Sequence, residues 1–154
     1  MTPTAAVTKR PAAQERALKL FIVLERATMA VNRRLIELTE SHGLTPTEFG
    51  TLEALYHKGP LLLGDVQKKI LLTSGGVTYT IDRLVEKGLV VRRDCETDRR
   101  ARYAALTPKG EALIARVFPA HATQIEDTMS ALSAREQEEA TGLLRKLGLA
   151  AAEE

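Results

Sequence analysis

Five arginines, Arg92, Arg93, Arg99, Arg100 and Arg102, fall within eleven residues of one another. A guanidinium stays charged at neutral pH and offers a planar fork of donors that fits phosphate, so such a cluster is chemistry for a polyanion. Asp94, Glu96 and Asp98 are interleaved with them, so the run is not a uniform phosphate sponge. An acid two residues before Arg100 can hold its guanidinium extended through a bidentate pair. An extended arginine suits a narrow minor groove, whose negative potential is enhanced in A·T-rich DNA. The plain alternative is a solvated charged turn. A second group lies upstream. Ser74, Gly75, Gly76, Thr78, Tyr79 and Asp82, with Arg83 farther along, fall on the side of a helical repeat opposite Val77, Ile81 and Leu84. Small and hydroxyl side chains at a helix start permit close approach, and the free N–H groups there favour a phosphate. Thr78 can offer a methyl to thymine, and Tyr79 reaches a base edge or a phosphate. Taken alone, that face is equally that of an ordinary solvated helix.

Other chemistry finds little support. His42, His57 and His121 lie at a helix end, near a turn and on an apolar stripe; none stands in a His-x-x-x-His pair or a Cys/His cluster, so no metal site is expected. The chain has no Gly-x-Ser-x-Gly, phosphate loop or dinucleotide fingerprint, and neither an enzyme nor a cofactor is expected. His121 reads either as a satisfied interface histidine or as a ligand contact. Cys95 is a candidate redox residue if its neighbouring arginines depress its pKa, but Asp94 and Glu96 oppose them, and an inert exposed thiol is the expectation.

The elements that must position these residues are mostly helical. From about Ala13 to Ser41 apolar residues recur at three- and four-residue steps with no Gly or Pro, giving a helix about 40 Å long. Its apolar surface, widened by Val23, Leu24, Ala27 and Ile36, is read either as a core face or as a surface buried against a second copy of the chain. Gly43 is expected to end it in a left-handed conformation. Thr45-Pro46-Thr47-Glu48 then supplies a capped start for a second helix, with Phe49, Leu52, Leu55 and Tyr56 inward and Gly59-Pro60 as the stop. A third helix fits Leu63 to Leu71, with Val66, Ile70 and Leu71 inward; Thr73 to Gly76 reads as a turn. A fourth carries Val77, Ile81, Leu84 and Val85 inward and closes at Gly88. Three short helices joined by tight turns are the helix-turn-helix signal. The period then changes: Leu89–Arg93 and Arg102–Leu106 read as two strands of a hairpin, a wing. Thr107-Pro108 starts a fifth helix with Ile114, Val117, Phe118, His121, Ile125, Met129 and Leu132 on one stripe and Pro119 expected to bend it. Ser133 to Glu136 is a second capping box, opening a last helix with Ala140, Leu143, Leu144 and Leu147 inward.

The whole chain, 154 residues with 44% hydrophobic and 27% charged residues, suits one soluble domain or a compact protomer. Aromatics are only 4% and Trp is absent, so the core must be aliphatic. No apolar run approaches the roughly 18 residues of a membrane span. Residues 1–13 hold two prolines and no apolar stretch and are expected to be a tail; one cysteine excludes an internal disulfide, and a cytoplasmic location is expected. The net charge of +2 is uneven: residues 60–110 hold 10 Lys and Arg against 6 Asp and Glu, while residues 111–154 hold 4 against 8. A basic middle held away from an acidic end fits a segment that faces a polyanion.

Three stretches resemble the MarR (multiple-antibiotic-resistance regulator) family: Gly43-Leu44-Thr45-Pro46-Thr47-Glu48-Phe49, Ser74 to Val90 with its ending Asp82-Arg83-Leu84-Val85-Glu86-Lys87-Gly88-Leu89-Val90, and Asp98-Arg99-Arg100 followed by Leu106-Thr107-Pro108-Lys109-Gly110. The likeness runs from about Leu18 to Leu147. It implies a mainly α fold with a small β wing, a winged helix-turn-helix protein dimerising through its N- and C-terminal helices. It further implies a DNA-binding repressor released by a small ligand. By position, the recognition helix falls on about Ser74 to Lys87, with Ser74, Gly75, Thr78 and Tyr79 toward the major groove and Arg83 supporting the backbone. Asp98 and Arg100 match the wing acid and the minor-groove arginine, with Arg99 beside them. Leu18 to Leu24, Leu55 to Gly59 and the wing around Cys95 look most like the quinone- and hydroquinone-responsive branch. The peroxide-sensing branch has its cysteine near the N-terminus, and the zinc-sensing branch needs a richer ligand set.

The expected organisation is a tail over 1–13, a helical dimerisation region over 14–42 and 111–148, and a winged helix-turn-helix lobe over 43–110. The expected partners are double-stranded DNA, a second copy of the chain, and a small apolar, phenolic or quinoid effector lined by Phe21, Leu24, Phe49, Leu52, Tyr56 and His121, with no membrane. A winged-helix module whose wing contacts a protein is the alternative function.

Overall fold

The computed structural model describes residues 11–70 and 74–152. The expected tail over 1–13 and the inward placement of Leu71 therefore fall largely or wholly outside the described residues. The elements are α1 (Ala12–Ser41), α2 (Pro46–Lys58), β1 (Leu61–Leu62), α3 (Leu63–Lys69), α4 (Ser74–Glu86), β2 (Val90–Asp94), β3 (Arg102–Leu106), α5 (Pro108–Met129) and α6 (Ala134–Ala152). The chain forms two compact units, residues 1–34 and residues 35–154. No helix among the described residues is long and apolar enough to cross a membrane.

The first unit is the leading part of α1. Most of its apolar residues are exposed, Phe21 at 59%, Val23 at 55% and Met29 at 62%. The only buried residue of the whole helix is Thr39, near its end.

The second unit holds the core. Gly43 adopts φ 70°, the left-handed conformation that ends α1. The hydroxyl of Thr45 then accepts the Glu48 N–H while the Thr45 N–H donates to Glu48 Oε2, so the expected capping box starts α2. Leu44, Phe49, Leu52 and Leu55 from this corner pack with Val66 of α3, Val77, Ile81 and Leu84 of α4, Leu89 and Val90 at the wing, and Ile114 and Val117 of α5. Each such buried aliphatic side chain contributes about 1.5–3 kcal/mol. Tyr56, expected inward, is instead 38% exposed at the far end of α2.

The wing is a three-stranded antiparallel sheet in the order β1-β3-β2, not a two-stranded hairpin. Leu61 pairs with Ala104 and Leu62 with Tyr103, while β2 pairs with β3 from Val90–Leu106 to Asp94–Arg102. The wing strand starts at Val90, with Leu89 turned into the core. Its base is fixed to α5 by close approach: a Cβ on Gly110 would lie 2.0 Å from the Leu89 carbonyl oxygen, so only glycine fits without backbone movement.

Three further expectations change. Ser74, Gly75 and Gly76 are the first turn of α4 rather than a turn before it. Val85 is 38% exposed, and Thr80 takes the inward place, its hydroxyl satisfied by the Gly76 carbonyl at 2.8 Å. Most consequentially, α6 buries none of its residues: Leu143 is 70% exposed, Leu144 50% and Leu147 44%, although Ser133 and Glu136 form the expected start. Pro119 lies inside α5 without ending it.

Candidate nucleic-acid interface

The apolar face of α4 fixes which residues point outward. With Val77, Ile81 and Leu84 sealed in the core, Gly75, Thr78, Tyr79, Asp82 and Arg83 are exposed on the remaining face. Ser74 opens the helix; its side chain lies outside what the structure describes. Tyr79 is 66% exposed, so both its ring and its hydroxyl are accessible to a partner. Arg83 forms an i,i+3 pair with Glu86 at 2.7 Å. An exposed pair of this kind is worth a few tenths of a kcal/mol, so a phosphate can displace the carboxylate.

The wing is tied directly to this helix. Arg92 of β2 reaches Asp82 Oδ1 at 2.6 Å, its side chain 27% exposed. The sequence shows both residues but not the pair, because a helix face and a strand ten residues apart carry no shared period. The bridge removes Arg92 from the free cations and joins the wing to α4. Arg93, Arg99 and Arg100 are exposed at the wing's outer part, and Arg102 makes only a loose 3.4 Å pair with Asp94.

Asp98 acts differently from expectation. Its carboxylate accepts the backbone N–H of Arg100 at 2.9 Å rather than its guanidinium, and the Asp98 carbonyl accepts the N–H of Ala101. Asp98 therefore shapes the turn and leaves the Arg100 side chain projecting by backbone geometry. A shallow cavity of about 380 Å³ lies between the start of α3 and the wing, lined by Asp65, Lys68, Arg100 and Arg102 among others. Lys68 was not singled out from sequence; its one visible signal is the Lys68-Lys69 pair at the end of a short helix.

Cys95 is half-buried, not exposed. Its thiol is held below the ordinary value by hydrogen bonding to the Thr97 side chain first, then to the Thr97 and Asp98 backbone. The arginines invoked from sequence are not the cause. Among the described residues no three His, Cys, Asp or Glu side chains gather as a metal site would need.

The expected effector residues separate into groups. Phe21 and Leu24 belong to the unit ending at Arg34. Leu52 is wholly sealed in the core of the other unit. The Phe49 and His121 rings meet at a tilt with centroids 4.4 Å apart, and His57 and Phe118, both missing from the expected set, extend the aromatic group at 4.7 Å, with Tyr56 beside them. Phe118 was visible on the α5 stripe; His57 had no signal beyond its place in the last turn of α2. His121 is 6% exposed, and its Nδ1 has no hydrogen-bond partner among the described residues. Burial pushes its pKa down, against a smaller upward pull from Glu53.

A largely aliphatic helical core that exposes a hydroxyl-bearing helix beside an arginine-rich wing defines a winged helix-turn-helix protein. The MarR family model matches residues 42–101. The chain is 46% identical over 135 residues to the HTH-type transcriptional regulator MhqR of Bacillus subtilis, covering 88% of this chain and 93% of that protein. It belongs to the MarR family of DNA-binding transcriptional regulators, on the MhqR-like branch. Among solved structures it resembles Bordetella bronchiseptica BpsR, whose DNA binding is regulated by 6-hydroxynicotinic acid, at 28% identity and a TM-score of 0.77 over 84% of this chain and 98% of that one. An E. coli MarR mutant complexed with operator DNA shares the fold at 22% identity and a TM-score of 0.78, covering 86% and 95%.

Proposed function

We propose that the chain acts as a homodimeric, sequence-specific repressor of a pseudo-palindromic operator, released by a small apolar or phenolic effector. The observation that carries this reading is the exposed face of α4 locked to the wing through Asp82 and Arg92. It offers a major-groove surface (Ser74, Gly75, Thr78, Tyr79), a backbone contact (Arg83) and a minor-groove arginine (Arg100, with Arg99 beside it and Asp98 shaping the turn) on one lobe. Two such lobes related by a two-fold axis should stand about 34 Å apart to meet successive turns of one duplex. The outward apolar faces of α1 and α6 are the surfaces that a second copy would cover.

Effector release needs little energy. A hundredfold loss of operator affinity requires about 2.7 kcal/mol of differential binding between two lobe spacings. The aromatic group around Phe49, Tyr56 and His121, with its unpartnered His121 Nδ1, supports an effector of the phenolic or quinoid class. The regulation of BpsR by a small hydroxylated aromatic acid supports that ligand class. A cytoplasmic site of action goes with this function. The test is an electrophoretic shift with the DNA upstream of the protein's own gene. Binding to one protected sequence, weakened steeply by salt and reversed by a hydroquinone, is expected. Equal affinity for random DNA of the same length would overturn the reading, and a complex that persists with hydroquinone would remove the effector class alone.

A further inference from the structure

The C-terminal end of α4 is a meeting point of four segments. Lys87, the residue after α4, reaches Glu48 Oε2 at 2.6 Å and the Gly43 carbonyl at 2.8 Å. The Glu48 side chain is 5% exposed and already accepts the Thr45 N–H through the same oxygen. The Gly43 carbonyl belongs to the left-handed turn that closes α1. From the opposite side, Lys109 Nζ donates to the Lys87 carbonyl at 2.9 Å and the Thr107 hydroxyl donates to the Gly88 carbonyl at 2.7 Å. One ammonium thus ties the end of α4 to the α1–α2 turn, while two residues at the start of α5 hold the same corner from the wing side.

We propose that Lys87 is a positioning residue for DNA recognition, setting the tilt of α4 through Glu48 and Gly43 without touching DNA itself. This rests on α4 being the reading helix. The charge of Lys87 is engaged by a nearly buried carboxylate; removing Lys87 leaves that carboxylate without its counter-charge, and removing the Glu48 charge leaves Lys87 held by the Gly43 carbonyl alone. Thr78 lies nine residues along the same helix, roughly 13 Å away by helical rise. A tilt of about 10° at the pinned end moves Thr78 by roughly 2 Å, enough to break hydrogen bonds to base edges. Non-specific phosphate contact, which tolerates such shifts, survives.

The experiment uses the full chain, its protected upstream operator and a random duplex, with Lys87→Met, Glu48→Gln and the double variant. Glu48→Gln keeps an acceptor for the Thr45 N–H and loses only the ionic partner, so it decides the matter if Lys87→Met does not fold. Each single variant is expected to bind the operator about tenfold more weakly, with random-duplex affinity and the salt slope unchanged and with the double variant no worse than the weaker single. Unchanged operator affinity in the folded variants overturns the proposal. So does a salt slope lowered by about one in Lys87→Met alone, which makes Lys87 a phosphate contact. Failure of the unmodified chain to prefer its operator over the random duplex removes the functional reading instead, and is seen before any variant is made.

Discussion

Arg100 and His121 sit at opposite ends of what a single side chain contributes here, one through charge in water and one through a missing partner in the interior. The Arg100 guanidinium projects from a turn whose shape is set by Asp98 bonding to backbone, so Arg100→Ala should leave the wing folded. We expect it to weaken operator binding by roughly tenfold and to lower the slope of log K against log salt by about one, read by electrophoretic shift at several salt concentrations. An unchanged slope places Arg100 off the DNA. His121 responds to pH instead. Burial lowers its folded-state pKa below the ordinary 6.5, so between those two values the unfolded chain binds more protons than the folded one. Its stabilising contribution is therefore complete above the ordinary value and is lost as pH falls toward the folded one. His121→Gln should flatten the fall in melting temperature as pH drops below the ordinary 6.5, with the unmodified chain melted alongside for comparison. An identical pH dependence in the two proteins would rule out His121 as a contributor.

At the scale of elements, the corner where β2, the end of α4 and the start of α5 converge is held by a glycine as much as by hydrogen bonds. Gly110→Ala puts a Cβ 2.0 Å from the Leu89 carbonyl oxygen, a backbone atom that cannot rotate away. The expected cost is about 2–4 kcal/mol, seen as a lower midpoint in urea with an unchanged slope. A variant within 0.5 kcal/mol of the original would mean the corner yields more easily than its packing implies. The helix starts at Thr45 and Thr107 and the strand pairing of β2 with β3 were legible because caps, prolines and β-branched runs write themselves into adjacent residues. Strand β1 was not: Leu61-Leu62 is two residues long, too short for a period, and its pairing with Ala104 and Tyr103 is some forty positions distant. The inward place of Thr80 is illegible for a different reason. Its hydroxyl finds the Gly76 carbonyl within the same helix, so a residue that looks polar by composition is apolar in effect. At the candidate site, the outward residues of α4 followed from its apolar period, whereas the Asp82–Arg92 and Lys87–Glu48 pairs join elements whose mutual placement no local pattern encodes.

For the whole molecule, the distribution of charge and of uncovered apolar surface supports the same assembly. The basic residues concentrate in 60–110 and the acidic ones in 111–154, so the field of a protomer attracts DNA to the lobe and repels it from the last helices. Those last helices expose what a soluble surface should not: Leu143, Leu144, Leu147 and Leu149 on α6, while Leu18, Phe21 and Ile22 do the same on α1. The inward placement read from the α6 sequence is thus unmet within a single chain, and a second chain covering that face would meet it. Leu144→Asp with Leu147→Asp places two charges on that face while leaving α4 and the wing untouched. We expect the double variant to sediment as a monomer at micromolar concentration. Operator affinity should then fall by at least about a hundredfold, because two linked half-site contacts become one. Affinity for an isolated half-site, measured on the same variant, should stay within a few-fold of the original, which separates loss of pairing from loss of the lobe. A variant that remains dimeric with full operator affinity places the interface elsewhere than α6.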